Sequence, residues 1–336
     1  MQNLLKKALL PYSLGKESLI IEKEIKSWSN DLHFKIRADG RAYSARFLKE
    51  DRFPNNVFGE MNADILYEQT EFCRYLVDQQ IPFMKLVSDS EGNPFTEIKW
   101  VYENHYFILF EWIEGKHFTL GDEYISREFG QMARTFHDVS NPFTSSVFTK
   151  KSHLVGYEEF VGKLRNKLRT SNISANNITM VDQYITAAEE HIELARTEEM
   201  DYIIQSDLNP LNVLWDEKRN VIGIVDFESI GYDDRIEGLA WLIKWYSRTE
   251  GIHSSEVSPV LTEAFLQGYG AADFLDEKDY KRLASLVWLS GCMNWNFVKD
   301  TFSILENNDI ELLKSHIDFY KQRGEKLLSL IPKALL

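Results

Sequence analysis

The segment that decides the fold runs from residue 202 to residue 232 and reads YIIQSDLNPLNVLWDEKRNVIGIVDFESIGY. Two short apolar runs, residues 213–215 and 221–225, flank the polar turn DEKRN. Apolar runs separated by turn residues are typical of a β-hairpin. The pairing predicted here places Asn212, just before the first strand, beside Asp226, just after the second.

Asp207 precedes Asn212 by five residues, on a loop that Pro210 bends. We therefore expect three oxygen-bearing side chains, those of Asp207, Asn212 and Asp226, to converge at one edge of the hairpin. Carboxylate and amide oxygens suit Mg²⁺, which normally takes one or two carboxylates together with substrate phosphates. The segment predicts a site for a metal-bound phosphate group.

Strands dominate the sequence before this segment, and residues 19–28, which alternate loosely in polarity, are the first of them. Residues 33–37 and 42–48 alternate in polarity around Ala38-Asp39-Gly40-Arg41, and an Asp-Gly turn between such runs predicts a hairpin. A helical spacing follows over residues 62–80, and strands are predicted at 96–102 and 106–113. Helices are predicted at 121–138, 156–170, 178–197, 235–248, 258–271, 277–299 and 309–329. The fold class is α+β, with a small antiparallel sheet followed by a mainly helical region.

The spacing Asp207-x-x-x-x-Asn212, followed by Asp226-Phe227, resembles the catalytic loop and metal-binding element of protein kinases. SDLNPLNVLW with IVDFESIGY is more similar to the aminoglycoside phosphotransferase and choline kinase-like family. Residues 110–115 (FEWIEG) resemble the hinge of that family, and residues 129–137 (FGQMARTFH) its helix ending in a Phe-His pair.

This resemblance implies a two-lobed protein-kinase-like fold, with a nucleotide-binding lobe at residues 1–112 and a catalytic and acceptor-binding lobe at 113–336. It implies that Asp207 orients the acceptor hydroxyl or accepts its proton. It also implies that Asn212 and Asp226 hold Mg²⁺ on the phosphates of ATP.

The resemblance also assigns the nucleotide contacts. Arg46, on the third strand, occupies the place of the phosphate-pairing lysine, and its fixed charge suits phosphate. Its helix partner is predicted as Glu68, while alignment on Phe72 and Leu76 puts Gln69 there instead. Adenine is expected to bind main-chain groups of Glu111 and Ile113.

The chain departs from the family pattern at three places. Gln205 stands two residues before Asp207, where the family usually has histidine. Gly238 stands at the second acidic position of the family's G-D-P-x-x-D-L-A element, and the nucleotide loop at residues 27–31 (SWSND) has no glycine. Since none of these changes touches Asp207, Asn212 or Asp226, we expect an active enzyme.

Charge restricts the partners. The 38 basic and 52 acidic residues give a net charge of −14, which argues against a nucleic-acid binder. Residues 1–112 carry 14 basic and 17 acidic residues, so most of the negative charge lies in residues 113–336. Two distant cysteines, Cys73 and Cys292, fit a reducing cytoplasm, and no apolar stretch is long enough for a membrane span.

The sequence leaves the acceptor open among aminoglycosides, choline-like amino alcohols and sugars. Acidic side chains at 233, 234 and 237, near tryptophans at 241, 245, 288 and 295, would suit a cationic acceptor, although core packing is the default for the tryptophans. The leading hypothesis is an ATP- and Mg²⁺-dependent phosphotransferase that acts on a small-molecule hydroxyl. The alternatives are a pseudokinase that acts as a nucleotide-regulated binding protein and a protein kinase.

Overall fold

The computed structural model describes residues 1–26, 31–50, 62–150, 152–170 and 174–332. Its strands are β1 (Leu19–Ile25), β2 (Leu32–Ala38), β3 (Arg41–Lys49), β4 (Phe95–Trp100), β5 (Glu103–Glu111), β6 (Tyr202–Gln205), β7 (Val213–Trp215), β8 (Val221–Ile224) and β9 (Ile230–Asp233). Its helices are α1 (Gln2–Leu9), α2 (Ala63–Asp78), α3 (Glu123–Ser140), α4 (Leu154–Thr170), α5 (Ala175–Ala195), α6 (Arg235–Tyr246), α7 (Pro259–Tyr269), α8 (Glu277–Cys292), α9 (Trp295–Asn307) and α10 (Ile310–Leu328).

The chain divides into two units. The first unit contains residues 1–116, 142–149 and 212–231, and the second contains residues 117–141, 150–211 and 232–336. The boundary after residue 112 stays a prediction, and the hairpin of β7 and β8 groups with the first unit. That grouping has a clear cause, since Met84 N donates to Ile224 O and Lys116 exchanges main-chain hydrogen bonds with Trp215.

An antiparallel sheet in the order β1-β2-β3-β5-β4 forms the centre of the first unit. The predicted turn joins β2 to β3, with positive φ angles at Asp39 (48°) and Gly40 (83°). Helix α1, which the sequence analysis did not predict, covers one face of the sheet. Its Leu5 and Leu9 are fully buried in a cluster that includes Phe47 and other sheet residues.

The second unit is mainly helical. The predicted helix over residues 277–299 is wrong in one respect, because the chain forms two helices, α8 and α9, that break at residues 293–294. Asn294 causes the break, since its side chain accepts a hydrogen bond from Phe297 N and caps α9. An asparagine at this position is the signal that could have located the boundary.

The antiparallel sheet and the helical second unit confirm the predicted α+β fold class. Across the residues that the structure describes, no helix combines the length and the apolar character needed to cross a membrane.

Helices α3 and α7 approach each other through two glycines. A Cβ atom on Gly268 would lie 2.1 Å from Arg127 O, and one on Gly130 would lie 2.3 Å from Phe265 O. Both obstacles are main-chain atoms, which cannot rotate away as a side chain can. The close packing of the two helices therefore requires glycine at both positions.

We expect Gly268→Ala to lower the free energy of unfolding by about 2–3 kcal/mol, because α3 and α7 must separate to admit the methyl group. Urea denaturation measures this change. Gly156→Ala is the matched control, since a Cβ there meets no atom within 4 Å and alanine should stabilise α4 by up to about 1 kcal/mol. Equal stability of Gly268→Ala and the wild type would contradict the packing described.

Candidate active site

The hairpin of β7 and β8 brings two predicted metal ligands together in the first unit. Val213 pairs with Ile224, and Val225 N donates to Asn212 O at 2.8 Å. Asn212 is thus bonded to the residue directly before Asp226. Asp226 itself has a φ of 72°, a left-handed conformation that aspartate tolerates better than most residues. The juxtaposition expected from the hairpin is present in the structure.

Arg46 lies on β3 and is only 7% exposed. Among the described residues, its guanidinium pairs with Asp226 at 3.7 Å, with Asp31 at 3.9 Å, and at shorter range with Glu228. The guanidinium carbon also lies 5.5 Å from the centre of the Phe227 ring. This cluster holds one fixed positive charge beside Asp226, where a phosphate-binding residue would act.

Glu228 is a site residue that the sequence analysis missed. The signal was its position two residues after Asp226, where the related kinase element has glycine. The carboxylate binds Arg46, and the carbonyl oxygen accepts a hydrogen bond from Gln69 Nε2 at 3.2 Å.

Helix α2 presents Gln69, not Glu68, to this cluster. Gln69 is 2% exposed, whereas Glu68 is partly exposed and is not among the described carboxylates that pair with Arg46. The alternative alignment, which puts Gln69 at this position, therefore agrees better with the contacts. A role for Glu68 in nucleotide binding stays a prediction.

His33 also faces this region and was not predicted. Its Nε2 lies 2.7 Å from Ser44 Oγ. Burial, assisted by the positive charge of Arg46, lowers the pKa of His33 to about 3. The ring is therefore neutral near pH 7 and adds no charge beside Arg46.

Of the predicted adenine-binding residues, Glu111 ends β5 and Ile113 follows it. Glu111 N donates to Lys85 O at 2.9 Å, and the Glu111 side chain pairs with Lys85. Ile113 packs on Gly223, where a Cβ would come within 2.9 Å of Ile113 Cδ1. With the N–H of Glu111 engaged, an adenine ring would have the Glu111 carbonyl and the Ile113 main chain left to bind. Of the nucleotide loop at residues 27–31, residues 27–30 lie outside the described part of the chain, and Asp31 belongs to the Arg46 cluster.

The loop that carries Asp207 belongs to the second unit and is held by its own side chains. Gln205, buried on β6, accepts a hydrogen bond from Asp207 N through Oε1 at 3.0 Å. Asn209 Nδ2 donates to Asp207 Oδ1 at 2.9 Å, and Asn209 Oδ1 accepts from Leu211 N at 2.8 Å. Gln205 thus fixes the main chain of Asp207 in the place where the family usually has histidine.

Three carboxylates follow at the start of α6, also in the second unit. Asp234 caps α6 and binds Arg282 through both oxygens, at 2.8 and 2.5 Å. Glu237 lies 3.1 Å from His153 Nδ1, and Asp233 lies 3.8 Å from the same atom. Burial, with the negative charge of Glu237, raises the pKa of Asp233, while His153 lowers the pKa of Glu237 against the effect of burial.

The set formed by His153, Asp233 and Glu237 has ligand atoms within 4.8 Å of one another and could hold a metal ion. The ion-pair contacts of His153 with Asp233 and Glu237 also account for it as a buried group of paired charges. Glu237 Oε2 accepts a further hydrogen bond from Ser152 Oγ at 3.1 Å. All three acidic residues that suggested a cationic acceptor are engaged inside the protein.

Gly238 has a steric explanation. A Cβ there would lie 2.8 Å from Ile204 Cδ1 and 3.4 Å from the His137 ring, so the family's acidic side chain would not fit. His137 is buried, and its Nδ1 lies 2.6 Å from the Tyr269 hydroxyl, which makes its role structural.

The fold class and the hairpin that brings Asn212 and Asp226 together are those expected of a kinase-like phosphotransferase. The sequence profile of the phosphotransferase enzyme family (APH) matches residues 23–286, which is more than three quarters of the chain. The chain belongs to this family. The prediction of a small-molecule phosphotransferase is thereby confirmed. The comparison with curated proteins found no match.

Solved structures support the fold at low identity. An aminopropanol kinase associated with a microcompartment is 14% identical with a TM-score of 0.66, and the match covers 100% of both chains. An aminoglycoside phosphotransferase from Alicyclobacillus acidocaldarius is 13% identical with a TM-score of 0.64, over 98% of this chain and 96% of that one. Amicoumacin kinase hAmiN, in complex with AMP-PNP, Ca²⁺ and Ami, is 17% identical with a TM-score of 0.63, over 98% and 95%.

Proposed function

We propose that this enzyme transfers the γ-phosphoryl group of ATP to a hydroxyl group of a small molecule and uses Mg²⁺. The observation that carries the proposal is the position of Asn212 and Asp226 at the end of one hairpin, with Arg46 contacting Asp226. The similar amicoumacin kinase binds AMP-PNP and Ca²⁺, which supports a nucleotide and a divalent cation for this chain as well.

The residues fit a magnesium ion. Asn212 offers an amide oxygen and Asp226 a carboxylate, and both are hard ligands of the kind that Mg²⁺ prefers. The Asp226 side chain is 33% exposed, so a metal-bound nucleotide can reach it. Asn212 and Asp226 would hold the ion, which neutralises charge on the phosphates when bound.

Arg46 would place a second positive charge on the phosphates. Its contacts with Glu228 and Asp31 fix the direction of the guanidinium, so little side-chain freedom is lost when phosphate binds. A planar guanidinium can donate two parallel hydrogen bonds to phosphate oxygens. Arg46 therefore serves the nucleotide, and Glu228 and Asp31 are its positioning residues.

In the proposed reaction, the acceptor oxygen forms a bond to the γ-phosphorus while the bond from that phosphorus to the β–γ bridging oxygen breaks. ADP leaves, and the hydroxyl proton passes to the carboxylate of Asp207. Asn209 holds Asp207 Oδ1, and Gln205 holds its main-chain nitrogen, so the base is oriented before the acceptor arrives.

The compartment that we propose is the cytoplasm. Cys73 and Cys292 are buried free thiols, and burial raises the pKa of both. Inert, unpaired thiols fit a reducing environment.

ADP release tests the function. With Mg²⁺ and ATP, we expect release that depends on one class among amino alcohols, hydroxy acids, sugars and aminoglycosides, and that stops when EDTA removes the metal. Mass spectrometry should find one added phosphoryl group on that acceptor. Peptide substrates serve as a control, and phosphorylation of peptides alone would favour a protein kinase. A thermal shift with MgATP, without phosphorylation of any acceptor, would favour a nucleotide-regulated pseudokinase.

A further inference from the structure

Three cationic side chains of the second unit act on one another through their charges, and we call them the cationic cluster: Lys244 on α6, Arg248 just after α6, and Arg323 on α10. Arg248 Nε donates to Lys244 O at 3.1 Å. Lys244 Nζ lies 4.4 Å from the ring centre of Trp241. Two cations lie near the Trp245 ring: Lys244 Nζ is 5.4 Å from its centre, and the Arg248 guanidinium carbon is 4.6 Å from it.

The members of the cluster repel one another. Burial, together with the charges of Arg248 and Arg323, lowers the pKa of Lys244 to about 7. Burial and Arg323 lower the pKa of Arg248 to about 10. Each shift means that the surroundings disfavour the positive charge, and only Asp207 acts on Lys244 in the opposite direction.

Charge balance within the fold does not explain the cluster. In the described part of the chain, no carboxylate forms an ion pair with any of the three cations. Arg282 provides a contrast in the same unit, because it is 7% exposed and is neutralised by Asp234 through two hydrogen bonds. Arg248, at 9% exposure, has no comparable partner among those residues.

The indole N–H of Trp245 is a further hydrogen-bond donor beside the cationic cluster. Trp245 Nε1 is buried and has no hydrogen-bond partner among the residues that the structure describes. An unmade hydrogen bond in a buried position costs roughly 1–3 kcal/mol, so native proteins seldom leave one without a reason. An oxyanion would accept this N–H together with the hydrogen bonds that the neighbouring cations offer.

The negative charge of Asp207, the proposed base, favours the protonated form of Lys244. We propose that the cationic cluster binds an oxyanionic group of the acceptor, a carboxylate or a phosphate, and so orients the acceptor hydroxyl toward Asp207. The inference rests on the proposed function and narrows its substrate to hydroxyl compounds that carry a negative charge. It replaces the expectation of a cationic acceptor, because Asp234 and Glu237 are already engaged with Arg282 and His153.

Direct binding of anions is the first test. Isothermal titration with succinate and with inorganic phosphate should give saturable binding of at least one of them, and the stronger ligand distinguishes the carboxylate from the phosphate source. Lys244→Gln and Arg323→Gln should each weaken this binding at least tenfold. Lys326→Gln is the matched control, since it removes one positive charge from α10 at an exposed ion pair with Glu256.

Circular dichroism of each variant checks that it is folded, and Arg323→Lys, which keeps the charge, should retain part of the affinity. The inference is overturned if neither anion binds saturably or if Lys326→Gln weakens binding as much as Arg323→Gln. It is also overturned if Arg46→Gln, in the other unit, abolishes binding while the cluster variants leave it intact.

Turnover of matched alcohols is the second test. 4-Hydroxybutanoate, 4-hydroxybutyl phosphate and 4-amino-1-butanol share a four-carbon chain and differ in the charged group opposite the hydroxyl. We expect an anionic alcohol to give at least tenfold higher kcat/KM than the amino alcohol, and Arg323→Gln to raise its KM. Preference for the amino alcohol would overturn the inference and leave the proposed function standing. Anion binding at the cluster without turnover of any alcohol would count against the proposed function instead.

Discussion

Asp207→Asn is expected to lower kcat for phosphoryl transfer by about 10³-fold, because an amide cannot accept the proton of the attacking hydroxyl. The shape of the side chain is kept, and its Oδ1 can still accept the hydrogen bond from Asn209. The affinity for MgATP should change by less than about threefold, since the nucleotide contacts are assigned to Arg46, Asn212 and Asp226. Initial rates of ADP release and calorimetric titration of MgATP measure the two effects.

Asp201→Asn is the matched control for this change. Asp201 is exposed, lies just before β6, and forms a surface ion pair with Lys150 at 3.4 Å. The same chemical change there should leave kcat within about twofold of the wild type, because exposed pairs contribute little. Undiminished turnover in Asp207→Asn would remove Asp207 from the proposed mechanism.

Asp226→Asn is expected to lower turnover by about 10³-fold or more, through the loss of a charged metal ligand. An amide binds Mg²⁺ more weakly than a carboxylate and leaves phosphate charge less compensated, and a loss of about 4 kcal/mol corresponds to this factor. Asparagine also tolerates the left-handed φ of 72° at this position, so the backbone should be preserved. In contrast to Asp207→Asn, the apparent affinity for MgATP should fall as well.

Titration of ATP at several fixed Mg²⁺ concentrations separates metal binding from folding effects. Glu217→Gln is the control in the same hairpin, because Glu217 is exposed and pairs with Lys116 at the surface. A normal dependence of nucleotide binding on Mg²⁺ in Asp226→Asn would contradict the role assigned to the carboxylate.

The sequence predicted the turns and elements that a few neighbouring residues determine. Asp39 and Gly40 adopt the positive φ angles that a tight hairpin turn requires, so the β2–β3 turn was readable from two residues. Helix α1 was missed because it has eight residues, a length at which stability comes from burial against the sheet. The break between α8 and α9 depends on one side chain, that of Asn294, in an otherwise helical stretch.

The candidate site divides in the same way. The hairpin alone predicted that Asn212 and Asp226 would be neighbours, because a single turn joins the two strands that they flank. The choice between Glu68 and Gln69 was not decided locally, since one residue along a helix turns a side chain by about 100°. The cationic cluster was beyond sequence reasoning, because Arg323 is brought to Lys244 and Arg248 by helix packing.

The substitution at Gln205 has a consequence for the response of the enzyme to acidity. A histidine that held the catalytic loop would ionise near pH 6.5, and its hydrogen bonding would change with it. Gln205 Oε1 accepts a hydrogen bond from Asp207 N. The amide group of Gln205 neither gains nor loses a proton between pH 5 and 8. The anchoring of the loop is therefore constant across that range, whereas a histidine at position 205 would make it depend on pH.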